Sequence, residues 1–366
     1  MTEHKAPHVL FVGGGTLGPV TPLLATAAAV RALAADASFS WIGTAAGPER
    51  TLVERAGIPF HAISSGKLRR YFSWENVTDL VRIKLGFFQA FFLLGRLRPD
   101  VVVSAGGFVA VPVAWAAWCR GIPVHLHQQD PIAGLANRLS LPCAASVSVA
   151  LESSLADFAA KHPVWTGNPV RADILSGSRE EAKRLFGLDD SAPTVLVLGG
   201  GTGAAGINDL VRGSLPTLLE SAHVIHVVGR GKSAGLNDLP RYHEYELLTG
   251  EMAHAYAAAD LVVCRAGMGT LTELAALGKP ALVIPMPASH QEANARVFAK
   301  SGAAMTLDER HVTATRFALT VVGLLKDGAR LAEASKAMLA LNRPDAAQAV
   351  ASLVLKTAWG RSRTRR

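Results

Sequence analysis

Twice in this chain an apolar run of about five residues breaks into a cluster of glycines and then resumes as a helix-like stretch. His8 to Val12 leads into Gly13-Gly14-Gly15-Thr16, followed by an alanine-rich segment from about Pro22 to Ala35. About 185 residues later, Thr194 to Leu198 leads into Gly199-Gly200-Gly201-Thr202-Gly203, with a helical stretch from about Gly206. A strand that is apolar throughout has both faces buried, as in a parallel sheet covered by helices. Glycine at such a turn lets the backbone approach a phosphate and aim amides at it. The repeat predicts an α/β chain built from two Rossmann-like domains.

Shorter signals fill in the pattern. Ser40 to Gly43, Phe60 to Ile63, Val101 to Ser104, Val124 to His127 and Ser146 to Val149 read as strands of the first half. Val224 to Val228, Glu244 to Leu248, Leu261 to Cys264 and Ala281 to Ile284 read as strands of the second. The 366 residues suit two domains of ordinary size. We assign 1–166 to the first domain and 167–345 to the second, restarting at Gly167-Asn168-Pro169. Residues 346–366 are expected to hold a closing helix, Ala346 to Leu355, that packs back on the first domain, and then a basic tail.

Hydrophobic residues make up 49% and charged residues 18%, a composition for packed cores rather than disorder. Cys119, Cys143 and Cys264 lie far apart without C-x-x-C spacing, which argues against a zinc site or disulfide framework and suits a reducing cytoplasm. The polar start, Met1 to Pro7, predicts no secretory leader. The charge-free run Val101 to Cys119 nearly reaches spanning length, but Gly106-Gly107 and Pro112 make it a strand, a glycine turn and a helix.

Gly13-x-Gly15-x-x-Gly18 has the spacing of a dinucleotide fingerprint. The second strand, however, ends Trp41-Ile42-Gly43-Thr44, without the acid that would hold a ribose in a dehydrogenase. More informative is Arg265-Ala266-Gly267-Met268-Gly269-Thr270-Leu271-Thr272-Glu273 after the strand Leu261 to Cys264. A diphosphate would fit over the amides near Gly267 to Thr270, with Glu273 reaching a ribose diol. The same residues also suit an ordinary helix start. His290, Gln291 and Asn294 open the next helix, either to bind sugar hydroxyls or simply to cap it.

These segments together resemble the MurG family, glycosyltransferases of peptidoglycan synthesis. The resemblance runs through Gly13-Gly14-Gly15-Thr16 to Pro22, Ser64 to Phe72, Gly106-Gly107-Phe108-Val109, His127 to Arg138, and Gly167 to Arg171. It continues through the Gly199 to Ala204 loop, Arg265 to Glu273 and Gln291 to Asn294, in order from residue 8 to about 300. It implies a GT-B fold and inverting transfer of GlcNAc from UDP-GlcNAc to undecaprenyl-pyrophosphoryl-MurNAc-pentapeptide. On the donor side it implies Glu273 for the ribose, and Thr270 with the amides of Met268 and Gly269 for the diphosphate. Arg171, Gly201 and Thr202 would help there, Leu248 and Met252 would cradle uracil, and His290, Gln291 and Asn294 would read the sugar. Gly14, Gly15, Thr16, Gly18, Gly106, Gly107 and Asn137 would receive the acceptor and its pyrophosphate.

Two positions depart from the family pattern. Pro19 stands where the first loop normally carries a histidine, and Gln128 where an acid normally follows the histidine of the fifth strand. Neither can accept the proton that the acceptor hydroxyl loses, so Asp130 and His127 become the candidates for the base. The altered loop also admits two other readings: a transferase with another lipid-pyrophosphate acceptor, or a catalytically impaired nucleotide-sugar-binding relative.

No Asp-x-Asp pair occurs, so neither a cofactor nor a metal is expected at the diphosphate. The formal charge is +8, and seven cations fall between Lys67 and Arg98 against Glu75 and Asp79 alone. Phe87, Phe88, Phe91 and Phe92 recur at helical spacing, as a buried face or as an apolar patch ringed by Lys67, Arg69, Arg70, Arg82 and Lys84. A polyprenyl-anchored substrate favours the second use, with Phe87, Phe88 and Phe91 on an anionic leaflet. The expected location is the cytoplasmic face of a bacterial membrane, held peripherally. The basic residues lack the motifs of nucleic-acid recognition, so no nucleic acid is expected.

Overall fold

A computed structural model describes residues 6–66, 75–201 and 203–364. The chain divides into two compact units, Met1–Pro169 with Arg343–Arg366, and Val170–Asn342. The first unit runs β1 (His8–Val12), α1 (Val20–Leu33), β2 (Ser38–Thr44), α2 (Glu49–Arg55), β3 (Phe60–Ile63), α3 (Glu75–Leu97) and β4 (Val101–Ser104). It continues with α4 (Ala110–Cys119), β5 (Val124–Gln128), α5 (Leu135–Ser140), β6 (Ala144–Val149) and β7 (Val164–Trp165). The second runs α6 (Arg179–Phe186), β8 (Thr194–Leu198), α7 (Ala205–Leu219), β9 (His223–Val227), β10 (Tyr242–Tyr245), α8 (Met252–Ala258) and β11 (Leu261–Cys264). Then come α9 (Met268–Leu277), β12 (Ala281–Val283), α10 (Gln291–Lys300), β13 (Ala304–Thr306), α11 (Ala314–Lys326) and α12 (Gly328–Ala340). The closing helix α13 (Ala346–Thr364) belongs to the first unit.

All strand pairs are parallel, in the order β3-β2-β1-β4-β5-β6-β7 in the first sheet. Successive residues of β1 point to opposite faces, as the two-residue strand period requires. Val9 and Phe11 pack with Val20 and Leu23 of α1 and with Val350, Val354 and Leu355 of α13. Leu10 and Val12 pack on the other face with Ala90 and Leu94 of α3 and Val113 of α4. Burying each large aliphatic side chain contributes roughly 1.5–3 kcal/mol, which is why the strand is apolar at its four buried positions, Val9 to Val12. The second sheet, β10-β9-β8-β11-β12-β13, repeats the plan.

In each sheet the order reverses beside the first strand. Ligands of open parallel sheets bind outside the carboxyl ends of the strands at such a switch point. In the first unit Val12 pairs with Ser104, so the turns after β1 and β4 lie side by side. In the second, Leu198 pairs with Cys264, so the turns after β8 and β11 do the same.

Three expectations shift. The edge strand β10 begins at Tyr242 rather than Glu244, because its buried positions alternate and include the polar Glu244, leaving no apolar run to mark it. The closing helix extends well past Leu355 to Thr364. The short strands β7 and β13 were not expected. Among the described residues, no helix is long and apolar enough to cross a membrane.

Candidate active site

In the first unit the glycine turn at 13–18 is tied down from below. Gly13 N–H donates to Ile42 O at 3.2 Å, and the Trp41 indole donates to Gly13 O at 2.9 Å. Gly15 holds φ +83°, and the ring of Phe108 occupies the space a side chain there would need. Gly106 and Gly107 have φ of +97° and +86°, conformations that favour glycine. A Cβ on Gly107 would come within 3.1 Å of Gly14 O and 3.4 Å of the Pro19 ring. Pro19 is buried directly before α1, where its side chain packs the two turns together. Thr16 and Gly18 are exposed.

The loop after β5 is organised by Gln128. Its amide donates to Asp130 O at 2.8 Å and to Ile132 O at 3.1 Å, while its oxygen accepts from Asn137 Nδ2 at 2.7 Å. A carboxylate could make neither donation. This explains the glutamine: it builds the loop that carries Asp130, whose side chain is partly exposed. Asn137 also donates to His127 O at 3.3 Å, and its buried Oδ1 faces Gly106 with no partner among the described residues.

His127 occupies a different environment from Asp130. The ring is 1% exposed, with Nδ1 at 2.8 Å from Ser148 Oγ and Nε2 at 2.9 Å from Asn168 Oδ1. Burial lowers its pKa to about 4. With both nitrogens engaged inside the sheet, His127 braces β5 and offers no free nitrogen to a hydroxyl.

In the second unit, Gly200 and Gly203 of the turn after β8 have φ of +80° and +70°. Opposite, Gly267 precedes α9 with open space where a side chain would be. Amides at the start of α9 have no intrahelical acceptor, so Met268, Gly269 and Thr270 offer donors at the positive end of the helix dipole. The Met268 side chain itself is buried in the core, so only its backbone faces this turn.

Glu273 lies one turn further along α9. Its Oε2 accepts from the Tyr256 hydroxyl at 2.9 Å, and burial raises its pKa while Tyr256 and Arg171 oppose that rise. Arg171 pairs with Asp173 at 3.0 Å, and the three side chains Arg171, Tyr256 and Glu273 form one cluster. Leu248 is buried close before α8, and Met252, half-buried, opens that helix.

Gln291 Oε1 accepts from Met286 N–H at 3.0 Å, and His290 is exposed at the α10 start. Asn294 is fully buried and donates to Ala266 O at 2.9 Å. It holds the turn before α9 rather than standing open beside His290. Gly201 is exposed, whereas Thr202, Lys67, Arg69 and Arg70 lie outside the described residues.

Sequence reasoning missed two supports of this unit. Arg265 makes a bidentate pair with Glu309 at 2.6 and 2.8 Å, so it is a brace rather than a phosphate ligand. Asn208, His226, Tyr242 and Glu244 form a buried chain of hydrogen bonds at 2.9–3.0 Å from α7 to β10. Its only sequence signal was His226 within the mostly apolar strand β9.

On α3 the aromatic run splits. Phe87 and Phe91 pack against the core, so their assignment to a membrane surface is corrected. Phe88 and Phe92 are 57% and 70% exposed, alongside Leu80, Val81 and Leu85, and Trp118 of α4 is 64% exposed. Among the described residues, no three His, Cys, Asp or Glu side chains group as metal ligands would.

Comparison with known proteins gives this geometry a family. Residues 9–149 match the glycosyltransferase family 28 N-terminal domain, and residues 194–350 match the family 28 C-terminal domain. The fold and both turns therefore define a glycosyltransferase of the GT-B kind. The UDP-N-acetylglucosamine--N-acetylmuramyl-(pentapeptide) pyrophosphoryl-undecaprenol N-acetylglucosamine transferase of Clostridium kluyveri is 41% identical over 310 residues, 83% of this chain and 87% of that protein. The same-named protein of Legionella pneumophila is 39% identical over 83% of this chain and 85% of its own length. The crystal structure of Acinetobacter baumannii MurG superposes with a TM-score of 0.71 at 27% identity, covering 96% of this chain and 99% of that one. The chain belongs to the MurG family. A UDP-GlcNAc 2-epimerase from Neisseria meningitidis, 13% identical with a TM-score of 0.68 over 95% and 99% of the two chains, shares the fold alone.

Proposed function

We propose that this protein transfers GlcNAc from UDP-GlcNAc to undecaprenyl-pyrophosphoryl-MurNAc-pentapeptide, with inversion, at the cytoplasmic face of a bacterial membrane. The observation that carries the reading is the cluster around Glu273. Tyr256 occupies one carboxylate oxygen and leaves the other for a ribose diol, one helical turn from the amides that would take the diphosphate. The names of the relatives supply the identity of the sugar and the acceptor.

On this reading Arg171 and the amides of Met268, Gly269 and Thr270 meet the diphosphate charge, with the Gly201-Thr202 turn beside them. No metal is required. Leu248 and Met252 line the base, and Gln291 and His290 read the sugar. Asn294 acts from beneath, through the turn it holds. The acceptor lies across the turns of Gly14, Gly15, Thr16 and Gly18 and of Gly106 and Gly107, near Asn137. Its hydroxyl oxygen bonds to the anomeric carbon as the bond to UDP breaks, and the hydroxyl proton passes to Asp130. Phe88, Phe92 and Trp118, with the basic residues Lys67, Arg69, Arg70, Arg82 and Lys84, would rest on an anionic leaflet.

Complementation tests this directly. In a bacterium depleted of its own enzyme for this step, expression of the chain should restore growth and lipid-linked disaccharide. Wild-type protein that accumulates in the membrane fraction without restoring either would refute the assignment.

A further inference from the structure

We infer that Glu49 is a positioning residue for the acceptor loop, and that the loop it holds takes a neutral part of the acceptor rather than the pyrophosphate. The inference rests on the function proposed above. Glu49 begins α2 and is fully buried. Its Oε1 accepts from the Thr44 amide at 2.7 Å and the Thr44 hydroxyl at 2.5 Å, and its Oε2 accepts from the Gly15 amide at 3.2 Å. Among the described residues no cation pairs with it.

The surroundings are shaped for this carboxylate. A Cβ on Gly14 or Gly47 would collide with its oxygens, and one on Gly43 would lie 3.1 Å from Oε1. Burying a carboxylate without a counter-charge is costly, and hydrogen-bond donors must make up for it. Here the donors come from the turn itself. The Gly15 amide therefore points at Glu49 and is not available to a phosphate. The charge just beneath repels an anion settling over Gly15. Sugar hydroxyls or amide groups of the acceptor carry no such penalty.

Glu49→Gln tests both halves, since its amide nitrogen replaces one of the two oxygens and must then face an N–H donor, that of Gly15 or of Thr44. Acceptor kcat/KM should fall at least tenfold, with the KM for UDP-GlcNAc within twofold of wild type. Removing the charge should also make inorganic pyrophosphate a stronger inhibitor against the acceptor, by threefold or more. Thr44→Val keeps the charge and removes one donor, so acceptor kcat/KM should fall less and pyrophosphate inhibition should not move. Exchange of the Gly15 amide, measured without substrates, should quicken in Glu49→Gln. Unchanged acceptor kinetics, an equal loss for both substrates, or unaltered pyrophosphate inhibition would overturn the inference. Wild-type protein without transferase activity would instead remove the functional reading, while Gly15 exchange would still decide whether Glu49 holds the loop.

Discussion

The hydroxyl of Tyr256 on α8 donates to Oε2 of Glu273 on α9 at 2.9 Å, joining two helices through a partly buried carboxylate. The bond fixes which oxygen faces outward. A hydrogen bond to a charged group is worth about 1.5–3 kcal/mol. Tyr256→Phe should therefore weaken UDP-GlcNAc binding about tenfold, measured by titration calorimetry, with kcat changed less than threefold. Glu273→Ala should lose binding almost entirely. Equal affinity in Tyr256→Phe would show that the tyrosine does not orient the carboxylate.

Asp130→Asn should lower kcat on the order of 10²–10⁴-fold with little change in donor affinity, the range associated with a general base. Turnover within a few-fold of wild type would eliminate Asp130 from that role.

Gln128→Glu, which restores the acid usual in the family, should lower activity here rather than raise it. It takes away the amide donor shared by the carbonyls of Asp130 and Ile132, leaving the first only the Ser154 hydroxyl at 3.1 Å. The expected cost is about 1–3 kcal/mol of stability, read as a lower Tm, together with a reduced kcat. A more active Gln128→Glu would mean that the glutamine is a lost base and not a brace.

Acid should destabilise the protein in a defined window. Burial lowers the pKa of His125 to about 3, and of His127 and His226 to about 4, so all three stay neutral when folded. Unfolded, they take up protons below the ordinary value of about 6.5. Stability is therefore complete above about pH 6.5 and is lost as pH falls towards 4, by about 1.4 kcal/mol per pH unit for each imidazole. Urea unfolding at pH 7 and pH 5 measures this. Equal midpoints would contradict the buried neutral histidines.

Phe88→Ser with Phe92→Ser should reduce binding to anionic vesicles at low salt, whereas Phe87→Ser should chiefly lower Tm. Similar vesicle binding in the double variant and wild type would remove α3 from the membrane surface.

The parallel sheets were legible because their strands are buried on both faces and so appear as apolar runs. Val101–Ser104 and Leu261–Cys264 fall where those runs do. The glycine turns were legible because positive φ favours glycine. Glu49 was not: in sequence it is an ordinary acid in the first turn of a helix, and only folding brings Gly14, Gly43 and Gly47 around it. Helical spacing showed that Phe87, Phe88, Phe91 and Phe92 share one side of α3. It could not show which two meet the core, because that depends on the neighbouring helix α4. The hydrogen-bonding partners of Gln128 and Asn294 are likewise set by carbonyls that strand ends and turns bring near.

Transfer of labelled GlcNAc from UDP-GlcNAc to a short-chain lipid-linked muramoyl-pentapeptide, with a metal chelator present, tests the central claim most directly. Multiple turnovers to the β-linked disaccharide product are expected, undiminished by the chelator. Tight donor binding with no disaccharide formed would contradict the assigned reaction.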